Sequence, residues 1–151
     1  SIVSIFSDAL FIFDGMTGKF TSATNKCLPF PEDRRELEAL IMVLGEYPNH
    51  IHISGFCTTK KLRIANEVDF FVSDAGTASM YVDRFCKKNG VVYKPNKWGA
   101  FEHIHHNSSA IHEDRINDVG PDSVGFNTSY EISSTYLASI CMERFLSGFI
   151  N

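Results

Sequence analysis

No stretch of this chain is apolar over anything near the roughly 20 residues that carry a helix across a bilayer, which excludes a helical membrane span. No basic segment precedes the apolar residues of Ser1-Ile2-Val3-Ser4-Ile5-Phe6, which argues against a secretory leader and predicts a cytoplasmic protein. The chain lacks an initiator methionine, as expected of a processed product or a piece of a longer protein. None of the four cysteines, Cys27, Cys57, Cys86 and Cys141, forms a C-x-x-C pair. Neither a zinc ribbon nor a compact disulfide framework fits that spacing, and buried free thiols in a reducing compartment are predicted. Excess positive charge is missing too. Eighteen acidic residues stand against 14 basic ones, a net charge of -4, which argues against a general nucleic-acid binder. The local clusters Lys60-Lys61-x-Arg63, Lys87-Lys88 and Lys94 with Lys97 are read as solvated faces. There is no internal repeat and no low-complexity tract.

The composition, 44% hydrophobic and 21% charged over 151 residues, suits one soluble domain with a real core, spanning residues 1–151. Strand-like apolar density in Ile2 to Phe13 is followed by turn signals at Asp14-Gly15 and Thr17-Gly18 and a polar loop from Thr21 to Lys26. A helix is expected from Pro31, with Leu37, Leu40, Ile41 and Leu44 as its apolar stripe and Gly45 and Pro48 ending it. His50 to Ser54 alternates at period two and reads as a strand closed by Gly55. His50 and His52 share one face of it and are read as packing or hydrogen-bonding within the fold. A short helix capped at Thr58 or Thr59 carries Leu62, Ile64 and Ala65. A strand over Val68 to Val72, a helix over about Gly76 to Lys88 with Phe85 inward, and a strand over Gly90 to Tyr93 follow. Short strands at Ile116 to Val119 and Ser123 to Phe126 precede a last helix from about Ile132 to Phe149, with Leu137, Ile140, Cys141 and Leu146 toward the core.

Strands alternating with helices predict an α/β fold: a single Rossmann-like three-layer domain with a mostly parallel sheet and helices on both faces. The strands at Ile51 to Ser54, Val68 to Ser73 and Val91 to Tyr93 are expected to be neighbours at its centre. Ligands of such sheets sit outside the carboxyl ends of the strands. Gly55, Gly76, Thr77 and Pro95 each follow a predicted strand, which places them around one crevice.

The run Val68 to Ser79 carries the strongest functional signal. It reads as a buried strand, a sharp turn at Ser73-Asp74-Ala75-Gly76 and the first turn of a helix at Thr77-Ala78-Ser79. Small residues there let a ligand reach the backbone, and free N–H groups at a helix start suit a phosphate or carboxylate. An ordinary strand–turn–helix joint would have the same appearance.

The stretch ANEVDFFVSDAGTASMYVDRFCKKNGVVYKPN, Ala65 to Asn96, resembles the nucleotide-sugar-binding, C-terminal half of a GT-B-type bacterial glycosyltransferase. HIHISGF, His50 to Phe56, is similar to the strand and glycine turn ahead of that unit, and NTSYEISSTYLASICMERFL, Asn127 to Leu146, is similar to its closing helix. The resemblance covers roughly the last two thirds of the chain by architecture. The resembling stretches hold neither the Glu-x7-Glu signature nor a full G-x-G-x-x-G. The resemblance implies that the donor diphosphate is met by N–H groups of Gly76, Thr77 and Ala78 and by the hydroxyls of Thr77 and Ser79. Gly55, Ser73 and Asp74 complete the binding residues, and Lys94 or Lys97 supplies countercharge. It implies no metal and no cofactor. The partners it implies are a nucleotide sugar or sugar phosphate and a second Rossmann-like domain holding the acceptor-activating base.

Other readings stay open. An α/β domain of this kind could be a non-catalytic regulatory module for a sugar phosphate or nucleotide, with Tyr93, Trp98 and Phe101 as a stacking wall or as loop packing. His103, His105, His106 and His112 with Glu113 and Asp114 could ligate a transition metal or form a polar loop, and no H-E-x-x-H spacing is present. A hydrolase using Ser73 or Ser79, Asp74 and a histidine lacks a G-x-S-x-G elbow.

Overall fold

Short apolar and aromatic runs bounded by turn residues set the strands of this chain. Its structure is a computed structural model that describes residues 6–14, 17–21, 26–29, 35, 38–39, 42, 49–76, 79–96, 108–111, 113–119 and 129–148. The chain clusters into two compact units, Val3–Arg63 and Ile64–Asn151.

In the first unit, β1 (Phe11–Phe13) opens the order, followed by β2 (Thr17–Thr21), β3 (Lys26–Pro29) and β4 (His50–His52). β1 and β4 pair in parallel, with Phe11 opposite His50 and Phe13 opposite His52. β2 and β3 pair antiparallel, with an irregular register between Thr17 and Phe20. The sequence reading of Thr17-Gly18 as a turn and of Thr21 as loop is therefore corrected. Thr17, Phe20 and Thr21 are strand formers that outweigh one glycine, and glycine inside a strand goes with a break in register. Arg35, Glu38, Ala39 and Met42 are helical and exposed, the spacing of one helix face. The predicted stripe at Leu37, Leu40, Ile41 and Leu44 lies outside the described residues.

After β4, the Ile53 N–H donates to the Phe13 carbonyl at 2.9 Å and the Phe56 N–H to the Ile53 carbonyl at 3.0 Å. Gly55 sits at φ 82°, at the third position of that turn, where only glycine is unstrained. Helix α1 (Thr58–Glu67) follows. Lys61 is not on a solvated face. It is 4% exposed and pairs with Asp14 at 2.5 Å.

The second unit begins with β5 (Phe70–Asp74), a π-helical segment at Met80–Phe85, and β6 (Asn89–Tyr93). It continues through β7 (Ser108–Ala110), a 3-10 turn at Glu113–Arg115, β8 (Ile116–Val119), β9 (Ser129–Ile132) and helix α2 (Ser134–Ser147). β5, β6 and β7 form one parallel sheet in that order, and β8 pairs antiparallel with β9. Successive residues of β5 and β6 alternate between two apolar clusters. Phe70, Val91 and Tyr93 pack with Ile111, Ile116 and Cys141. Phe71 and Val92 pack with Ala75 and Val82. β6 is apolar and buried from Gly90 to Val92 because both of its faces are covered, whereas β5 leaves Val72 exposed.

β5 and β6 are adjacent and parallel as expected, but the strand at His50 belongs to the other ribbon with β1. The expected row of three central strands is thus corrected. His50-Ile51-His52 has one apolar residue, and Ile51 is exposed, so the segment lacks what a central parallel strand needs. The described residues establish a mixed helix-and-strand chain with small sheets.

The helix expected over Gly76 to Lys88 is π-helical at its centre, with the Cys86 N–H donating to Tyr81 O at 3.0 Å. The i→i+5 pattern shifts the phase. Phe85, expected inward, is 60% exposed, and Asp83 is 2% exposed instead. The segment ends on Lys87 in the left-handed region at φ 52°, with the Lys88 N–H reaching Val82 O at 2.9 Å. α2 is capped by Ser133, whose hydroxyl accepts from the Tyr136 N–H. It buries Ala138 and Cys141, while Leu146, expected in the core, is exposed. Of the described cysteines, Cys141 is buried, Cys86 half-buried and Cys57 exposed, all free, so the expectation of buried thiols holds for Cys141 and not for Cys57. Among the described residues no helix is long and apolar enough to cross a membrane.

Candidate functional site

Because β5, β6 and β7 are parallel, their carboxyl ends share one edge of the sheet. β5 is apolar at Phe70 to Val72 and then turns polar at Ser73-Asp74, so the sequence delivers a carboxylate to that edge. Asp74 lies directly opposite Tyr93. The ladder runs one residue further, with the Ala75 N–H donating to the Tyr93 carbonyl at 2.6 Å and the Ile111 N–H to the Val92 carbonyl at 2.9 Å.

Tyr130, on β9, packs its ring on Tyr93 at 5.9 Å between centroids, tilted by 55°. Burial first, and then the Asp74 charge, pushes the Tyr93 phenol above its ordinary pKa. Tyr130 is pushed up by burial, then by Tyr93 and Asp74. Both hydroxyls therefore stay protonated at neutral pH. The chain leaves β6 through Lys94, half-buried, and Pro95, fully buried. Asn96 fixes this exit. Its N–H donates to Asp118 Oδ1 at 3.0 Å and its Nδ2 to the Ile116 carbonyl at 2.9 Å. Asp118 is itself opposite Tyr130 in the β8–β9 pair. Asp74, Tyr93, Tyr130 and the Lys94-to-Asn96 exit thus form one polar edge with an aromatic floor.

The turn after β5 is closed on itself. The Ser79 hydroxyl accepts from the Gly76 N–H at 3.2 Å and donates to the Gly76 carbonyl at 2.8 Å, and Ser79 is buried. The Gly76 amide, expected to face a ligand, is taken by Ser79. The Ser73 hydroxyl donates to the Asp74 carbonyl at 3.0 Å. A side chain on Gly76 has room, since an added Cβ meets only Asp74 Oδ2 at 3.7 Å.

Of the expected binding residues, Ser73, Asp74, Gly76, Ser79 and Lys94 are brought to or next to this edge. Gly55 follows a strand of the β1–β4 ribbon, so the premise that it shares a sheet edge with Gly76 does not hold. Its local role is the turn described above. Thr77, Ala78 and Lys97 lie outside the described residues, as do Trp98, Phe101, His103, His105, His106 and the structure around His112. Among the described residues no three histidine, cysteine or acidic side chains gather to hold a metal ion. Sequence reasoning placed the Tyr93-to-Asn96 turn at this edge but missed Tyr130 and Asp118, which are distant along the chain from β5. It also passed over Asp83, which reads as the polar face of an ordinary helix.

Comparison of the chain with family models, with curated proteins and with solved structures returns no match.

Proposed function

We propose that the carboxyl edge of the β5–β6–β7 sheet binds a nucleotide sugar or a sugar phosphate, as the donor-binding half of a GT-B-type glycosyltransferase. The observation that carries this is the juxtaposition of Asp74 and Tyr93 at the ends of two parallel strands, with the Tyr130 ring tilted against Tyr93. A carboxylate accepts from sugar hydroxyls, protonated phenols donate to sugar or phosphate oxygens, and aromatic faces take the apolar side of a sugar or base. Lys94, with Lys97, supplies positive charge for a diphosphate whose own charge grows as the glycosidic bond breaks. Thr77 and Ala78 add donors from the turn. In this reading the chain is a Rossmann-like three-layer half, working in the cytoplasm with no metal at the donor site and no nucleic acid. A second Rossmann-like domain brings the acceptor and its base.

A second reading is a binding module without chemistry. The closed turn after β5 favours it, because the Gly76 amide is held by Ser79 and not turned toward a leaving group.

The test is calorimetric titration of the chain with nucleoside diphosphates, nucleotide sugars and sugar phosphates. Wild type is expected to bind one class. Gly76→Ala should bind as wild type does, since the space is there, whereas Gly76→Asp sets a second carboxylate beside Asp74 and should abolish anion binding. Tyr93→Phe removes one donor and should weaken binding by about 1.5 kcal/mol, roughly tenfold. Absence of binding by wild type, or full binding by Gly76→Asp, places the function elsewhere. Slow release of free sugar from a bound nucleotide sugar favours the transferase, and an intact donor favours the module.

A further inference from the structure

β4 carries two imidazoles on one face. His50 and His52 are two residues apart in a strand, so their side chains leave the same side, and their ring centroids are 5.3 Å apart at an interplanar angle of 72°. Two imidazoles bound through one nitrogen each to a tetrahedral ion, at metal–nitrogen distances of ~2.0–2.1 Å, place their centroids about 5 Å apart. The spacing therefore suits a shared ion without rearrangement of the strand. Phe13, on β1, walls the pair. Its ring stacks on His52 at 5.5 Å and 25° and meets His50 edge-on at 6.4 Å. An apolar wall beside the ligands lowers the local dielectric and strengthens the bond to a cation.

The second observation is independent of that spacing. Both ring nitrogens of His52 are buried, and among the described residues neither has a hydrogen-bond partner. The sequence reading allowed His52 to be satisfied by a hydrogen bond, and the described residues give it none. A buried imidazole in that state loses water at both nitrogens, which is costly, and an ion is one of the few things that restores a partner. Neutral imidazole is also the commonest ligand for a divalent transition ion.

We infer that His50 and His52 together bind one divalent transition-metal ion of the zinc, nickel and copper class, each through one ring nitrogen. Softer or harder ions are disfavoured, because the pair offers neither thiolate nor a cage of oxygens. Two protein ligands leave positions for water or for a small anion. The site lies in the unit Val3–Arg63 and does not depend on the sugar-phosphate reading of the other unit.

Copper(II) is the sharpest probe, because nitrogen ligands split its electron paramagnetic resonance lines. The chelator-treated full chain should bind one copper equivalent with two-nitrogen splitting and should also be stabilised to heat by zinc. His50→Gln and His52→Phe should each weaken copper binding by about tenfold to a hundredfold or more and remove the two-nitrogen signal. His52→Phe keeps a ring against Phe13, and His50→Gln covers the case in which that variant folds poorly. A triple change, His103→Ala with His105→Ala and His106→Ala, should leave this copper equivalent in place. Retention of the signal in both β4 variants, or its loss in the triple variant with β4 intact, overturns the inference. Failure of wild type to bind copper or zinc at all overturns it as well.

Discussion

Gly90→Ala should lower the stability of the protein by about 3 kcal/mol and its Tm by on the order of 10 °C. Gly90 lies opposite Phe71 in the parallel β5–β6 pair, buried, and the Phe71 ring lies flat over it. A Cβ built on Gly90 falls within 2.6 Å of Cδ1, Cε1 and Cγ of that ring, closer than such atoms can approach. The collision is with the near part of a buried ring and not with the loose end of a flexible chain, so relief requires moving Phe71, and Phe71 is part of the cluster with Ala75 and Val92. The check is a double-mutant cycle. Phe71→Ala alone should cost about 3–5 kcal/mol through the cavity it leaves. Combined with Gly90→Ala, the total should fall short of the sum by at least ~1 kcal/mol, because the added methyl enters space that the ring has vacated. Strict additivity in urea melts would show that the ring does not rest on Gly90.

Asp14→Ala and Lys61→Met should differ sharply although each removes one half of the same ion pair. Lys61 is buried and its ammonium meets Asp14 at 2.5 Å. Asp14→Ala leaves an ammonium inside the unit without that carboxylate and should cost about 3 kcal/mol. That is the lower end for a buried pair, because 35% of the Asp14 side chain remains in water. Lys61→Met removes the buried charge and keeps most of the volume, so its cost should stay within ~1 kcal/mol. Equal losses in thermal melts of the two variants would mean that the ammonium is hydrated in solution.

How much of this was legible in the sequence follows from the range of the interactions. Phe70-Phe71-Val72 and Val91-Val92 announce parallel strands by their unbroken apolar runs, a local property, although Val72 stays exposed in the structure. The stripe Leu137, Ile140 and Cys141 announces α2 because a helix buries one face, although Leu146, read as part of that stripe, is exposed. The turn after β5 was placed correctly because a strand that becomes polar at Ser73-Asp74 has reached the sheet edge. What failed was non-local. Nothing around His50 says that its partner is β1, and nothing around Asp74 points to Tyr130 or, beyond it, to Asp118. The polar run at Ser108-Ser109-Ala110 does not look like a strand, yet an edge position beside β6 needs little apolar surface. The Met80–Phe85 segment failed differently. Its apolar residues were read at the α-helical period, and one wider turn was enough to bring Asp83 inside and Phe85 out. Lys61 was misjudged because two neighbouring basic residues hid it in a cluster.

The reciprocal bonds between Gly76 and Ser79 set the order of events when a ligand arrives. An anion that uses the Gly76 amide has to take it from the Ser79 hydroxyl, and the hydroxyl has to turn away from the Gly76 carbonyl at the same moment. Encounter and capture then become separate steps. The observed association rate rises with ligand concentration only until opening of the turn limits it, and Ser79→Ala, which frees the amide in advance, raises that plateau. On the proposed anion-binding reading, the loop is a latch whose speed is set by one buried hydroxyl.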